Sequence, residues 1–420
     1  MADLIEELQW RGLVAQHTDI DRLREDFASG SVTFYCGFDP TAPSLHHGHL
    51  VQLILMRHLQ LAGHKPLALV GGATGLIGDP RPSGERTLND PEVVTQWCDG
   101  LREQISRFLS FDGENAALMV NNLDWMEGVS AIEFLRDIGK YFRLGQMLAK
   151  DIVARRLNSE EGISYTEFSY QILQAYDYLQ LYRRYGCILE TGGNDQWGNL
   201  VGGMDLIRKV EGKSVSVLTT PIITKADGTK FGKSEGGAIW LNPDMFSPYA
   251  FYQFWLQTAD EDVIRFLKIF TFLTREEIVE LEQQAAEKPQ ARVAQRRLAE
   301  EVTRLVHGQE QLTQVQAATE ALWGSGNLRE VEAKTLRSAV EHLPSGTIKL
   351  GEANTVDGIL AAGLEQGRSA AMRLVKANGL SVNNEKVTDA DRVFTDADLL
   401  PGDFILLRKG KRNLVALFAE

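Results

Sequence analysis

Three histidines crowd one turn of this chain. His46, His47 and His49 surround Gly48, directly before an apolar helical pattern. A helix N-terminus carries partial positive charge and unpaired N–H groups, so it favours a phosphate. Gly48 leaves room for a nucleotide to lie against the backbone. The imidazole N–H groups of His46 and His49 can bond phosphate oxygens as charge develops on them. Much further along, Lys230-Phe-Gly-Lys233-Ser234 sets two cations three residues apart in a polar, glycine-rich stretch. Lysines on such a mobile loop can close over a polyphosphate and stabilise the part that departs. Singly, each motif has a plain alternative: a polar helix cap, and a solvated basic loop. Together, in this order and on these local structures, they point to chemistry on nucleotide phosphates.

A third set lies on one helix. Tyr170, Gln174 and Asp177 stand at i, i+4 and i+7 and share a face. Such a stripe is ordinarily the wet face of an amphipathic helix. Beside a phosphate site it can line a pocket for a polar ligand instead.

The elements that must position these residues alternate between strand and helix. Val32–Gly37, Leu67–Val70, Leu118–Val120 and Cys187–Leu189 read as short buried strands, followed by Val215–Leu218 and Pro221–Ile223. Glycine pairs follow two of them, at Gly71-Gly72 and Gly192-Gly193. A helical pattern runs from His49 to about residue 62. This alternation predicts an α/β fold: a parallel sheet with helices on both faces, its ligands at the carboxyl ends of the strands. From Pro248 the periodicity is purely helical, with capping boxes expected at Thr258–Glu261 and Thr274–Glu277. The last segment, from about Asn354, reads as two helices and then short strands at Phe404–Leu407 and Leu414–Leu417.

A chain of 420 residues is too long for one hydrophobic core. No apolar run approaches the roughly 20 residues of a membrane span, and the acidic start lacks a secretory signal. A cytoplasmic protein is therefore expected. Cys36, Cys98 and Cys187 show no C-x-x-C spacing, so reduced thiols are expected, not a disulfide framework or a zinc site. The net charge of -13 argues against a protein that coats nucleic acid. Local RNA contact needs only clustered cations. Pairs stand at Arg155-Arg156, Arg183-Arg184, Arg208-Lys209 and Arg408-Lys409, the last followed by Lys411-Arg412.

The two phosphate motifs resemble the signatures of class I aminoacyl-tRNA synthetases, H-I-G-H and K-M-S-K-S. Here His47 replaces the usual apolar second residue, which should face the core side of the turn. Three further stretches resemble the bacterial-type tyrosyl-tRNA synthetases: Phe34 to Pro40, Ser169 to Asp177, and Gly192 to Asn199. The resemblance covers essentially the whole chain.

It implies a tyrosine–tRNA ligase, in which Tyr35 and Asp177 bond the phenol hydroxyl of tyrosine. Asp79, Tyr170 and Gln174 hold its ammonium group, and Gln196 lies near its carboxylate. Gly37, Asp39, Gly192 and Asp195 line the adenosine site with Cys36 and Gly48. Thr41, His46, His49, Lys230, Lys233 and Ser234 surround the triphosphate, with Arg81 and Arg86 as candidate cations on a phosphate loop. ATP with magnesium, tyrosine and tRNA are the implied ligands, with no protein-bound metal or prosthetic group, and the family is a homodimer. The implied organisation is a Rossmann-like catalytic domain (1–222), a lysine-bearing loop (223–247), an α-helical domain on the anticodon side of tRNA (248–323), a linker (324–352) and a small α+β RNA-binding domain (353–420). In the last, Arg373 and Lys376 join the basic pairs as candidate tRNA contacts. Two rival readings explain less. A small nucleotidyltransferase with H-x-G-H leaves Lys230–Ser234 and the C-terminal segment without a purpose. A non-catalytic RNA-binding relative would not need His46, His49, Lys230 and Lys233 intact.

Overall fold

The protein is described by a computed structural model covering residues 3–80, 88–229, 231–234, 237–324, 326–410 and 413–420, with only the backbone at Asp151, Lys233 and Ser234. Arg81, Arg86, Lys230, Lys411 and Arg412 lie outside the described residues.

Apolar strand sequences buried on both faces require helices above and below them. The sheet has six strands, β1 (Gln16–His17), β2 (Thr33–Phe38), β3 (Lys65–Val70), β4 (Leu118–Asn121), β5 (Leu189–Gly193) and β6 (Ser216–Thr220), of which β2, β3, β5 and β6 are largely buried. Their order is β1-β6-β5-β2-β3-β4. All neighbours are parallel except β1, which pairs antiparallel with β6 at one edge. From β2 the chain moves outward through β3 and β4, then returns to lay β5 on the other side of β2. The gap between the carboxyl ends of β2 and β5 is therefore the switch point where ligands of such sheets bind. Three helices bear on it: α1 (His47–Leu61), α2 (Tyr165–Tyr185) and α3 (Trp197–Glu211).

Local details depart from the sequence reading. Pro221–Ile223 is not a strand, since β6 stops at Thr220; proline has no N–H to give a ladder. The strand expected at 187–189 begins at Leu189 and carries both glycines in its last positions. The Thr258 cap is absent: α4 (Asp260–Phe270) starts one residue later, from Ala259, without a side-chain cap. The Thr274 box is present, with Glu277 N–H bonding Thr274 Oγ1 at 3.2 Å and Thr274 N–H bonding Glu277 at 2.8 Å.

The chain divides into two compact units, residues 1–242 with 258–298, and residues 243–257 with 299–420. The helical stretch 248–323 is thus not one body. Residues 258–298 pack within the sheet unit, where Arg11 donates to the carbonyls of Thr271 (2.9 Å) and Leu273 (2.7 Å). The second unit holds a short strand pair and three longer strands: β9 (Ser345–Ile348), β10 (Leu380–Val382), β11 (Glu385–Lys386), β12 (Phe404–Lys409) and β13 (Asn413–Ala419), in the order β11-β10-β12-β13-β9. Helices Thr355–Ala361 and Arg368–Lys376 cover a core that includes Ile359, Val375, Phe394 and Leu417. The stretch read as a linker contains helix Ala333–Val340 and β9, which pairs parallel with β13. The C-terminal fold therefore begins before residue 353. Among the described residues no helix is long and apolar enough to cross a membrane.

Candidate active site at the sheet switch point

The histidine turn is a capping box built from imidazoles. His46, in extended conformation, is the N-cap of α1. Its Nδ1 accepts the Gly48 N–H at 3.0 Å, and His49 Nδ1 accepts the His46 N–H at 3.2 Å. The two rings stack with centroids 4.1 Å apart. A nitrogen that accepts a hydrogen bond carries no proton, so each neutral ring keeps its proton on Nε2. Burial lowers the pKa of His46 and holds that of His49 well below the ordinary histidine value. At neutral pH the turn thus offers two uncharged N–H donors at a helix N-terminus. A Cβ on Gly48 would lie 2.9 Å from the His46 ring, so a larger residue there must displace that ring.

His47 does not face the core as expected; it faces the lysine loop. Its backbone N–H bonds Ile239 O at 2.9 Å, and Leu241 N–H bonds Leu45 O at 2.9 Å. Its ring stands edge-on to Phe231, centroids 5.6 Å apart, and bonds the Phe231 backbone. Burial, and the neighbouring His46, push the His47 imidazole down to about 4. Phe231 in turn lies 4.5 Å from the Phe266 ring of α4. Gly232 has φ +84, and a Cβ there would fall 2.0 Å from the His47 ring, so both conformation and space demand glycine. The two motifs, far apart in sequence, are thus in contact. Lys233 and Ser234 form β7, which pairs with β8 (Gly237–Ala238). The Lys233 backbone is thereby tied close to Ile239 and to the histidine turn.

The polar stripe of α2 is buried, not wet. Tyr170 is 7% exposed and Asp177 2%. Asp177 accepts from Trp125 Nε1 at 2.8 Å and from Asn122 Nδ2 at 3.0 Å. Burial raises its pKa to about 7 against the pull of those two donors. Tyr35, on β2, is 1% exposed, and its hydroxyl has no hydrogen-bond partner; nor has Gln174 Oε1. Tyr170 donates to Asp39 at 2.9 Å, and Asp39 also accepts from Thr74 at 2.7 Å. Asp39 thus links the end of β2 to α2. Gln196 donates to Asp79 at 3.2 Å. A cavity of about 410 Å³ opens beside this pair, lined also by Lys150, Asp195, Trp197 and Asn199.

Gly37, Asp39 and Thr41 stand at or just past the carboxyl end of β2, and Gly192 and Asp195 at or just past that of β5. Gly37, Thr41 and Asp195 are exposed. The Cys36 thiol is buried and pushed up to about 12, so it is present as the neutral thiol. Five candidate tRNA cations have partners within the fold. Arg156 is 2% exposed and paired with Glu167 at 2.8 Å, so it is a buried ion pair with no face for a phosphate. Arg408 donates to Leu322 O at 2.5 Å and to Asn384 at 2.7 Å, holding a helix end. Lys409 is shared between Glu365 (2.9 Å) and Leu364 O (3.1 Å). Arg208 and Lys209 both pair with Asp205, at 2.5 and 2.6 Å. Arg155, Arg373 and Lys376 are exposed.

Sequence reading missed Asn122 and Trp125, which fix Asp177. Their one signal was position, just past the carboxyl end of β4, where a parallel sheet gathers its ligands.

A parallel sheet with a histidine-capped helix and a lysine loop closing on one switch point is the catalytic fold of class I aminoacyl-tRNA synthetases. Residues 28–324 match the family of class I tRNA synthetases for tryptophan and tyrosine, and residues 335–417 match the C-terminal domain of tyrosine–tRNA ligases. The chain is 61% identical to a tyrosine–tRNA ligase of Streptomyces coelicolor over 419 residues, 99% of each chain. It is 57% identical to that of Leifsonia xyli over 416 residues, 99% of this chain and 94% of the other. Among solved structures, a C-terminally truncated mitochondrial tyrosyl-tRNA synthetase of Coccidioides posadasii superimposes with a TM-score of 0.67 at 33% identity, covering 75% of this chain and 91% of that one. The chain belongs to the tyrosine–tRNA ligases, the family that activates tyrosine and charges tRNA with it.

Proposed function

We propose that the slot between β2 and α2 reads the phenol of tyrosine, while the 46–49 turn and the 230–234 loop handle ATP. The observation that carries this is a pair of buried, unpartnered polar atoms, Tyr35 Oη and Gln174 Oε1. A buried polar group without a partner is costly. A tyrosine laid along α2 supplies both: its hydroxyl to Tyr35 and Asp177, its ammonium to Gln174, Tyr170 and Asp79. Gln196 then lies by the carboxylate. Gly37, Asp39, Gly48, Gly192, Asp195 and Cys36 line the adenosine side. His46 and His49 give their Nε2–H groups, with Thr41, Lys230, Lys233 and Ser234, to the phosphates.

The tyrosine carboxylate oxygen attacks the α-phosphorus of ATP, and pyrophosphate leaves. A terminal ribose hydroxyl of tRNA then attacks the adenylate carbonyl, and AMP leaves. No protein nucleophile is needed; positioning and preorganised donors do the work. Magnesium comes with the ATP phosphates. Exposed Arg373 and Lys376 on Arg368–Lys376, with Arg155, Arg208 and Lys209, are the cations proposed for tRNA phosphates, and the cytoplasm is the compartment.

Tyr35→Phe is the direct test. It removes one neutral hydrogen bond, so the KM for tyrosine should rise about tenfold with kcat nearly unchanged. An unchanged KM in pyrophosphate exchange would remove Tyr35 from the phenol site.

The homodimer is supported by apolar side chains left at the surface of the sheet unit: Ile132 72% exposed, Leu144 66%, Leu135 50% and Leu148 39%. Apolar patches of this kind mark association surfaces. Leu144→Asp should shift the sedimenting species from two chains towards one. A wild-type chain that sediments alone would end the dimer reading.

A further inference from the structure

We propose that the Glu190 carboxyl fixes the Tyr35 hydroxyl as the hydrogen-bond donor to the substrate phenol, which makes Glu190 a positioning residue for tyrosine selection. The inference rests on the assignment of Tyr35 to the phenol made above.

Tyr35 and Glu190 are register partners on the parallel strands β2 and β5, so their side chains leave the sheet on the same face. Glu190 is 3% exposed. Helix α3 makes room for it with Gly203: a Cβ there would lie 3.0 Å from Tyr178 and 3.5 Å from Glu190 Oε2. The Tyr178 ring closes the other side, 5.2 Å from that of Tyr35. The Glu190 carboxyl and the Tyr35 hydroxyl influence each other across this register, while the hydroxyl makes no regular hydrogen bond.

The titratable groups that feel Glu190 are Tyr35 and Cys36 on β2, Asp177 and Tyr178 on α2, and Cys187 before β5. None is a base. A buried carboxylate without a cation is unstable, and burial raises the pKa of Glu190 well above the ordinary carboxyl value. The group is therefore a neutral acid with a proton to give.

That proton sets the polarity of the slot. Asp177, fixed by two N–H donors, is an acceptor and takes the phenol proton. The phenol oxygen then needs a donor, and Tyr35 is the group in place. Were Tyr35 to give its proton to an ionised Glu190, two sets of lone pairs would meet across the slot. With Glu190 donating to Tyr35, every donor finds an acceptor: Glu190 to Tyr35, Tyr35 to phenol, phenol to Asp177. Phenylalanine breaks that chain at its centre.

The experiment compares Glu190→Gln, Glu190→Leu, Tyr35→Phe and the Tyr35→Phe/Glu190→Leu double variant in pyrophosphate exchange with tyrosine and phenylalanine. The glutamine amide still donates, so Glu190→Gln should keep the tyrosine KM within about twofold. Glu190→Leu should raise it about tenfold, one neutral hydrogen bond, with the ATP KM and kcat little changed and phenylalanine use unaffected. In the Tyr35→Phe background Glu190→Leu should add nothing. Equal losses in the Gln and Leu variants, or a Leu variant with unchanged tyrosine-to-phenylalanine preference, would overturn the role of Glu190. If Tyr35→Phe is itself silent, the phenol assignment fails instead. Should Glu190→Leu not fold, Glu190→Met takes its place, and a Met variant with the wild-type tyrosine KM would refute the proposal.

Discussion

Asp177→Asn should lower kcat/KM for tyrosine about a hundredfold to a thousandfold while the KM for ATP stays within about twofold, because a buried charge-assisted acceptor is worth about 2–5 kcal/mol. Both oxygens of Asp177 are already committed as acceptors, one to Trp125 and one to Asn122. An amide cannot copy this. Whichever way it turns, its NH2 meets one of the two donors, and the phenol loses its anionic acceptor. Pyrophosphate exchange at varied tyrosine and at varied ATP separates the two constants. Matching losses in both would mean that the substitution collapses the site rather than emptying the phenol slot.

The same residue predicts a pH dependence. Its pKa is raised from 3.8 to about 7, chiefly by burial. Below that value the carboxyl holds a proton and presents a donor where the phenol needs an acceptor. The wild-type kcat/KM for tyrosine should therefore fall about tenfold per unit as pH drops below 7, as expected for one essential base of the free enzyme. Asp177→Asn should be flat over that range. The stability contribution runs the other way. The folded state holds a proton that the unfolded state releases between 3.8 and about 7, so this group's stabilising contribution is complete below 3.8 and lost as pH rises through 7. Tyrosine affinity and the Asp177 share of stability thus move in opposite directions.

How far the site was legible follows from the kind of relation each residue enters. Tyr170, Gln174 and Asp177 are related by helical spacing, which sequence displays directly, though not whether their face is wet or buried. His46 and His49 are related by the geometry of a helix start, again a local matter. The switch point was legible as a class of place, because glycines stand at strand ends there. Long-range pairing was not. Arg156 looked like half of a basic pair, and only the fold brings Glu167 against it and removes it from solvent. Arg408 looked like a phosphate contact, but its guanidinium closes a helix end at Leu322. Glu190 sits between apolar Leu189 and Thr191 and carried no motif; its meaning comes from the register of β5 on β2. The division of the helices at residues 258–298 was hidden too, since periodicity tells that a helix is amphipathic and not which core its apolar face joins.

Lys233→Ala should slow tyrosyl-adenylate formation about a hundredfold to a thousandfold, the scale of losing one preorganised donor to a developing anion, with the Kd for tyrosine unchanged. Lys233 is paired with Ala238 in the β7–β8 ladder, and the next residue, Ile239, accepts the His47 N–H at 2.9 Å. On the other side Phe231 and Gly232 are packed against the His47 ring. The lysine is therefore carried on a segment clamped from both ends to the turn that holds the two neutral imidazole donors. Those imidazoles bring hydrogen bonds but no charge, since both are held below their ordinary pKa. On the proposed assignment the loop lysines bring positive charge to the departing pyrophosphate. A charge needed only as pyrophosphate separates contributes to the rate and not to tyrosine binding, which is why the two constants should part. Single-turnover measurement of adenylate formation, beside equilibrium binding of tyrosine, distinguishes them. A variant that loses affinity and rate in equal measure would place Lys233 in ground-state binding and leave the charge on the leaving group to another residue.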